Sequence, residues 1–408
     1  MNFQNYLLKI KSSFLHSVLM ISFLSFLMLG TISNYTVSSF VIKSSAIIFI
    51  FFLIAIKERH SEVKFWFRIK QFDLSKVLLI ISCLIALPAL TLFYSANPQF
   101  GMLKIFNLIL STVFPSLILI YFLTDPIQLQ LKFISIIVLA GAVISVGTIL
   151  IVNPFYYDQV YDLMTFHWSH VFFGRFLGLA FLTSLIFTID YSKGKGKLLF
   201  YFITLFIAFG LIVTGLRSAI SGVVVSSFML ITAGIFSKQL NYQKVLLIIS
   251  ILFAGVLLFF IASNWQGNIK TRVNNLVETF QLKSSEDEAI QSRIEGYDLA
   301  LDRIAESPII GVGFGGYKSV YNDNKIGWII SYPHNIFLEA FVELGMGGLL
   351  LVVLLILFIL KKSYTVSYKL FALIFFSLWL AQFSKDIPSQ TTLWVGIAFI
   401  AIYKNKDY

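Results

Sequence analysis

Few side chains in this sequence can do chemistry, and the densest group lies in the run Tyr332-Pro333-His334-Asn335-Ile336-Phe337-Leu338-Glu339-Ala340-Phe341-Val342-Glu343-Leu344-Gly345-Met346-Gly347-Gly348. Glu339 and Glu343 are four residues apart, so a helix here carries both carboxylates on one face. Near a helix N-terminus the macrodipole favours such acids. His334 stands just outside that helix. An unperturbed imidazole titrates near pH 6.5, which makes His334 a candidate general base with Asn335 and Glu339 in support. The plainer alternative is an interfacial histidine that caps a helix, with the acids facing a water-filled cleft.

Three arginines form the next tier. Arg217, in Thr214-Gly215-Leu216-Arg217-Ser218, lies between two apolar runs, where a guanidinium either grips a phosphate by its bidentate fork or snorkels at a helix end. Arg175, in His167-Trp168-Ser169-His170-Val171-Phe172-Phe173-Gly174-Arg175, is deeper in an apolar segment. An intramembrane arginine is a functional candidate by default; its alternative is a buried pair with Asp158 or Asp162. Arg293 is read with Glu295 as a solvated ion pair. Lys385-Asp386 reads as a boundary marker before the last apolar run. His167 and His170 are spaced for one helix face, but two ligands make no metal site, and no metal is expected. No phosphate-binding glycine loop followed by Lys-Ser/Thr, no His-Glu-x-x-His and no cysteine cluster occurs. No cofactor is expected.

The elements that must position these residues are membrane helices. The chain has 408 residues, of which 58% are hydrophobic and 12% charged, against about 45–50% and about 25% in soluble domains. A span needs about 20 apolar residues. That test gives about twelve spans, at 13–31, 39–56, 77–95, 103–123, 131–152, 168–189, 199–215, 217–235, 245–262, 335–360, 369–384 and 390–403. The fold class is therefore all-α, a polytopic membrane protein, because lipid-exposed backbone must bond within its own segment and no alternating pattern suggests a barrel. The organisation is 1–262 with nine spans, a large loop at 263–334, and 335–408 with three. The first apolar run reads as a retained span rather than a cleaved signal peptide. Cys83, the one cysteine, leaves no disulfide framework.

Orientation follows from the basic residues. Lys9, Lys11, Lys57, Arg59, Lys64, Arg68, Lys70, Lys76, Lys132, Lys193, Lys195, Lys197, Lys238, Lys244, Lys361, Lys362, Lys369, Lys404 and Lys406 fall on one face, whereas loops 32–38, 96–102 and 153–167 have none. Both termini are thus expected in the cytoplasm and the large loop outside. Most of the net charge of +11 is topological and is no nucleic-acid footprint. Within the loop, Ser284 to Glu288 reads as a helix start. Ile290, Ile294, Tyr297, Leu301 and Ile304 then recur at helical spacing. Pro308 ends the helix, and Gly311-Val312-Gly313-Phe314-Gly315-Gly316 reads as a flexible turn. Gly345 and Gly348 are expected to let helices approach closely.

These residues resemble the O-antigen ligase / O-antigen polymerase superfamily of bacterial envelope glycosyltransferases. The likeness rests mainly on residues 205–350, with the helix count agreeing over the whole chain. His334-Asn335, nine residues, Gly345, two residues and Gly348 reproduce the family's histidine pattern. Ser307-Pro308-Ile309-Ile310-Gly311-Val312-Gly313 is similar to its Ser-Pro-x-x-Gly-x-Gly segment. Arg293 falls where the family has its loop arginine, and Gly215-Leu216-Arg217-Ser218 resembles its other arginine turn. The ligase pattern Arg-x-x-x-Leu stands here as Arg217-Ser218-Ala219-Ile220-Ser221, with serine for leucine.

The resemblance implies a GT-C-like enzyme of the inner membrane, with its active site facing the periplasm. It would take a glycan from undecaprenyl diphosphate and pass it to a sugar hydroxyl, inverting the anomeric centre without metal or nucleotide. His334 would be the base, and Arg217 and Arg293 would bind the donor diphosphate. The acceptor would be a lipid-linked repeat unit or the lipid A-core, and a chain-length regulator is a further partner. The altered Arg217 pattern and the Ser169-His170-x-x-x-Gly174-Arg175 segment tip the reading to polymerase, with ligase as the alternative. A lipid-linked oligosaccharide flippase is a more distant reading; it should show two similar halves, which the sequence lacks. A non-catalytic scaffold for glycan synthesis is the other.

Overall fold

Hydropathy sets where the helices lie; one glycine sets where the most important of them breaks. The computed structural model describes residues 17–23, 37–59, 74–123, 127–151, 169–190, 195–263, 288–318 and 332–400. Among these the regular structure is helical. In chain order the helices are α1 (Val37–Arg59), α2 (Leu74–Thr91), α3 (Pro98–Leu108), α4 (Phe114–Leu123), α5 (Ile127–Ile151) and α6 (Ser169–Asp190). They continue as α7 (Lys195–Thr214), α8 (Arg217–Phe236), α9 (Tyr242–Ser263), α10 (Glu288–Glu306), α11 (Ile336–Val366) and α12 (Tyr368–Ala381). A π-helical turn, Ile109–Val113, joins α3 to α4.

Among the described residues, six segments are long and apolar enough to cross a membrane: Phe40–Arg59, Pro98–Phe122, Lys197–Thr214, Arg217–Phe236, Tyr242–Ala262 and Ile336–Val366. Shorter apolar helices occupy Ser75–Thr91, Ser135–Ile149, Phe173–Ile189 and Tyr368–Ala381. Large side chains point outward from several of them, with Ile48 69%, Phe253 63% and Leu354 63% exposed. Faces of this kind cost about 25 cal/mol per Å² in water and nothing comparable in lipid, so this is a membrane protein.

The last expected span, 390–403, is not one helix over its described part. A 3₁₀ turn, Ile387–Ser389, is followed by two four-residue helices, Thr391–Trp394 and Ile397–Ile400. The Gln390 amide donates to the carbonyls of Ser384 (2.8 Å) and Lys385 (3.1 Å), and Trp394 Nε1 donates to Ile387 O at 2.7 Å. These bonds brace the turn that precedes the run; at the division itself Gly396 N donates to Leu393 O (3.0 Å) and Ala398 N to Val395 O (3.0 Å), three-residue closures where a continuous α-helix closes over four. Most of the expected first span, 13–31, lies outside the described residues.

Two compact units partition the chain. The first comprises Met1–Phe133, Ser292–Val366 and Ala381–Tyr408; the second comprises Ile134–Gln291 and Ser367–Leu380. The second unit is a helix bundle with a buried hydroxyl pair, Ser184 and Thr204, at 2.7 Å. An apolar cleft of about 170 Å³ opens between its helices, lined by Phe181, Leu211, Ile220, Val223, Ile251 and Phe259 among others.

In the first unit, Ser307–Gly316 is a rigid clasp, not the flexible turn expected from its glycines. Val312 N donates to Val342 O (2.9 Å) and Met346 N to Pro308 O (3.0 Å), so the clasp is tied to α11. On its other side Tyr94 Oη donates to Ile310 O (2.7 Å), Ser95 Oγ to Phe314 O (3.0 Å) and Phe314 N to Thr91 Oγ1 (3.0 Å). Side chains on Gly101 or Gly315 would collide with the facing backbone, so both glycines are there for close approach.

The same clasp explains Gly345, which breaks α11 with φ 66° and ψ −164°. Essentially only glycine occupies that region. The expected helix at 335–360 is therefore two helices, Ile336 to Leu344 and Met346 onward. A Cβ on Gly345 would run into the Ile309 carbonyl, and one on Gly348 into Leu344 and the Ala340 carbonyl. The pair thus admits a loop and a break, rather than a neighbouring helix. Gly345→Ala is expected to destabilise by at least about 1–3 kcal/mol. Gly347→Ala, at a position with open space around it, should be neutral or stabilising by about 0.5–1 kcal/mol. Thermal unfolding of the two detergent-solubilised variants measures the contrast.

Candidate functional site

The site is built on a buried charge cluster. Lys104, on α3, sends its ammonium to Glu339 Oε1 at 2.7 Å and Glu343 Oε2 at 2.6 Å, and all three side chains are fully buried. The ammonium also lies 4.6 Å from the centre of the Phe314 ring, on the clasp. Glu339 Oε2 accepts from Ile387 N at 2.9 Å. Glu343 Oε1 has no hydrogen-bond partner among the described residues. The two glutamates share a helix face as their spacing demands, but they meet a lysine rather than a water-filled cleft. A second lysine, Lys43 of α1, is buried against Asn107 Oδ1 at 2.6 Å.

Asn335 begins α11. Its Oδ1 accepts from Phe337 N (3.0 Å) and Leu338 N (3.1 Å), which is an N-cap. Its Nδ2 donates to Gln382 Oε1 at 3.2 Å. The segment after α12 is thus held to the head of α11 twice, through Gln382 and through Ile387.

His334 precedes this cap with φ 57°, a left-handed conformation uncommon outside glycine. Its ring is half-buried and lies 4.6 Å from the Tyr332 ring. Nδ1 is enclosed and has no hydrogen-bond partner among the described residues. Burial, then the charges of Arg293 and Lys385, lower the imidazole pKa from 6.5 to about 3. The ring is therefore neutral at physiological pH, and its basicity is held below that of a free imidazole. Arg293 of α10, read from the sequence as a solvated partner of Glu295, and Lys385, read there as a boundary marker, both lie near enough for their charges to act on His334. Asp386, beside Lys385, is fully buried. Burial pushes its carboxyl from 3.8 up to about 7, against hydrogen bonds from Ser389.

The remaining candidates lie in the second unit. Arg217 is half-buried as the first residue of α8, after a tight turn in which Gly215 has φ 67°. Arg175 is 6% exposed and donates to the Leu380 carbonyl at 3.2 Å, close to the C-terminus of α12, where a cation suits the helix dipole. Its alternative partners, Asp158 and Asp162, lie outside the described residues, as does the side chain of His170. Among the described residues, no group of three or more His, Cys, Asp or Glu side chains comes together.

Lys104 is the residue that sequence reasoning missed. Counting charges only in loops skipped it, because it is the second residue of an expected span. A lysine in an apolar run and two acids one turn apart in another are complementary signals, and together they would have found the pair.

Residues 202–353 match a protein-family model described as O-antigen ligase. The match takes in Arg217, Arg293, the clasp and the whole run from His334 to Gly348. No curated protein matches the chain.

Replacing Lys104 by Met leaves two buried carboxylates uncompensated and should cost about 3–5 kcal/mol. Adding Glu339→Gln and Glu343→Gln should recover much of that loss, as read by thermal unfolding in detergent. Asp386 carries a pH signature. Its folded-state pKa is raised, so its contribution is complete below about pH 3.8 and lost as pH rises through 7. Asp386→Asn should therefore gain melting temperature over the parent as pH goes from 4 to 8, and show little difference at the acid end.

Proposed function

We propose, from the match of residues 202–353 to a family model described as O-antigen ligase, that this protein is a periplasm-facing glycosyltransferase of the inner membrane. It moves a glycan from undecaprenyl diphosphate to a sugar hydroxyl. The observation that carries the reading is His334 at the head of α11. It is neutral, its Nδ1 is enclosed with no hydrogen-bond partner among the described residues, and it feels the charges of Arg293 and Lys385.

In this reading the acceptor hydroxyl attacks the anomeric carbon, and His334 takes its proton. The carbon–oxygen bond to the diphosphate breaks, and its electron pair leaves on the diphosphate oxygen. Attack opposite the leaving group inverts the centre. Arg293 stabilises the charge that builds on the diphosphate, as preorganised cations do in transition states. Arg217 is a second candidate for the donor diphosphate, by the resemblance of its Gly-Leu-Arg-Ser turn alone. The apolar cleft that includes Ile220, one turn beyond Arg217 on α8, suits a polyprenyl tail. The donor is already activated, so neither nucleotide nor metal is needed. The basic residues that favour a cytoplasmic location for both termini support the same orientation, with about twelve spans.

Polymerase is the reading favoured by Arg217-Ser218-Ala219-Ile220-Ser221 and by the segment from Ser169 to Arg175. The acceptor is then the next lipid-linked repeat, and a chain-length regulator is the expected partner. The family that residues 202–353 match, O-antigen ligase, favours the ligase reading, with lipid A-core as acceptor.

His334→Ala should lower transfer from a purified lipid-linked donor by about 10²–10⁴-fold; transfer at the normal rate would remove His334 from the base role. Arg217→Ala and Arg293→Ala should each weaken donor use. A deletion strain settles the acceptor: lipopolysaccharide with core plus one repeat indicates polymerase, and core alone indicates ligase.

A further inference from the structure

We infer that the tip of the clasp is a wedge inserted into the bilayer. Ile309 and Ile310, with Phe93 and Tyr94 at the end of α2, stand among the acyl chains of the leaflet on the side of His334. The large loop expected outside at 263–334 thus dips into lipid near its end. The inference stands on the membrane reading of α2 and α11 and is independent of the glycosyltransferase reading.

Exposure is the first observation. Ile309 is 76% exposed, Ile310 55%, Phe93 91% and Tyr94 45%. The two pairs lie together, because Tyr94 Oη donates to the Ile310 carbonyl at 2.7 Å. Apolar groups gathered in this way are costly in water, and such patches mark contact with a partner or a membrane.

The backbone is the second. Lipid offers no hydrogen bonds, so a segment that enters it must satisfy its polar groups within the protein. Here Gly311 N donates to Ser307 O and Met346 N to Pro308 O, both at 3.0 Å. Tyr94 takes the Ile310 carbonyl, and Ser307 Oγ donates to Gly311 O at 3.3 Å. Four carbonyls around the tip are therefore engaged from within, while the isoleucine side chains face outward.

Depth and continuity select lipid over a protein partner. Pro308 pairs with Met346, the first residue after the break in α11. Met346 lies fifteen residues before Lys361, and Lys361 and Lys362 mark the opposite boundary of the membrane. Fifteen helical residues rise about 22 Å, whereas the hydrocarbon core is about 30 Å thick. The tip is thus past the midplane and still inside the boundary on the His334 side, and helix tilt would only place it deeper. From Met346 an exposed stripe of Leu350, Leu354 and Leu357 continues toward the lysines at helical spacing. The wedge is the end of that lipid-facing surface. Tyr94, apolar in its ring and polar at its hydroxyl, is a residue type that gathers near this level. Lipid then backs the clasp where it fills the break at Gly345, and sets the height of the short helix below His334.

The test uses the full chain with Cys83→Ser, an environment-sensitive fluorophore on Ile309→Cys, and reconstitution into phosphatidylcholine–phosphatidylglycerol vesicles. Asp302→Cys, at an exposed acid of α10, is the water-facing control, and Leu354→Cys is the lipid-facing one. The label at Ile309 should be quenched by nitroxides carried on lipid acyl chains, as at Leu354, and iodide should quench it several-fold less than at Asp302. Iodide quenching equal to that at Asp302, without lipid quenching, overturns the wedge. A label shielded from both quenchers also overturns it, because a protein surface then covers the tip. If Ile309→Cys does not fold, Phe93→Cys reads the same surface with the same outcomes.

Discussion

One ammonium group holds the first unit's polar machinery together. Lys104 Nζ reaches Glu339 and Glu343 on the first two turns of α11 and lies over Phe314 of the clasp. Through Glu339 it is linked to the amide of Ile387. Removing three charged groups from water is costly, and their attraction in a low-dielectric interior compensates only when the geometry is good. Here both ion pairs are at hydrogen-bond distance. The cluster therefore fixes four chain segments relative to one another, and three of them carry or flank His334, Arg293 or Lys385. The buried cluster thereby braces the segments on which the candidate groups stand.

The glycine-rich clasp does the complementary work for the backbone. It fills the break that Gly345 makes in α11 and takes up hydrogen-bonding groups that the break frees, through Val342 O and Met346 N. It is tied on its far side to the turn between α2 and α3, through Thr91, Tyr94 and Ser95. The glycines in this region serve contact density more than flexibility. Positive φ and a lack of room for a side chain both demand glycine, and neither implies motion.

Much of this was legible beforehand. The apolar runs gave the helices, because membrane length is a direct hydropathy signal. Ile290 to Ile304 gave the loop helix α10, whose apolar face includes the buried Ala300 and Ile304. The spacing of Glu339 and Glu343 placed both on one face. What was not legible depends on partners distant in sequence. Lys104 gains meaning only opposite two acids more than 200 residues away. Gly345 reads as an ordinary membrane glycine until the clasp is laid against it. Lys385 looks like a boundary charge until two hydrogen bonds bring its turn to His334. The last apolar run promised one helix because hydropathy cannot sense the change of hydrogen-bond register near Val395 and Gly396, where the backbone closes over three residues instead of four.

The break at Gly345 also gives the spacing in the histidine pattern a mechanical meaning. The nine residues between Asn335 and Gly345 are the short helix Ile336 to Leu344, two and a half turns and about 13–14 Å long. It works as a caliper, with one jaw at the capped head of α11 and the other locked in the clasp. Adding or deleting one residue would swing the imidazole by about 100° around the helix axis, while the cluster at Lys104 lost its second acid. Length is therefore as much a part of this site as any side chain, and drift in this chain is far freer in the identity of the apolar residues between His334 and Gly345 than in their number.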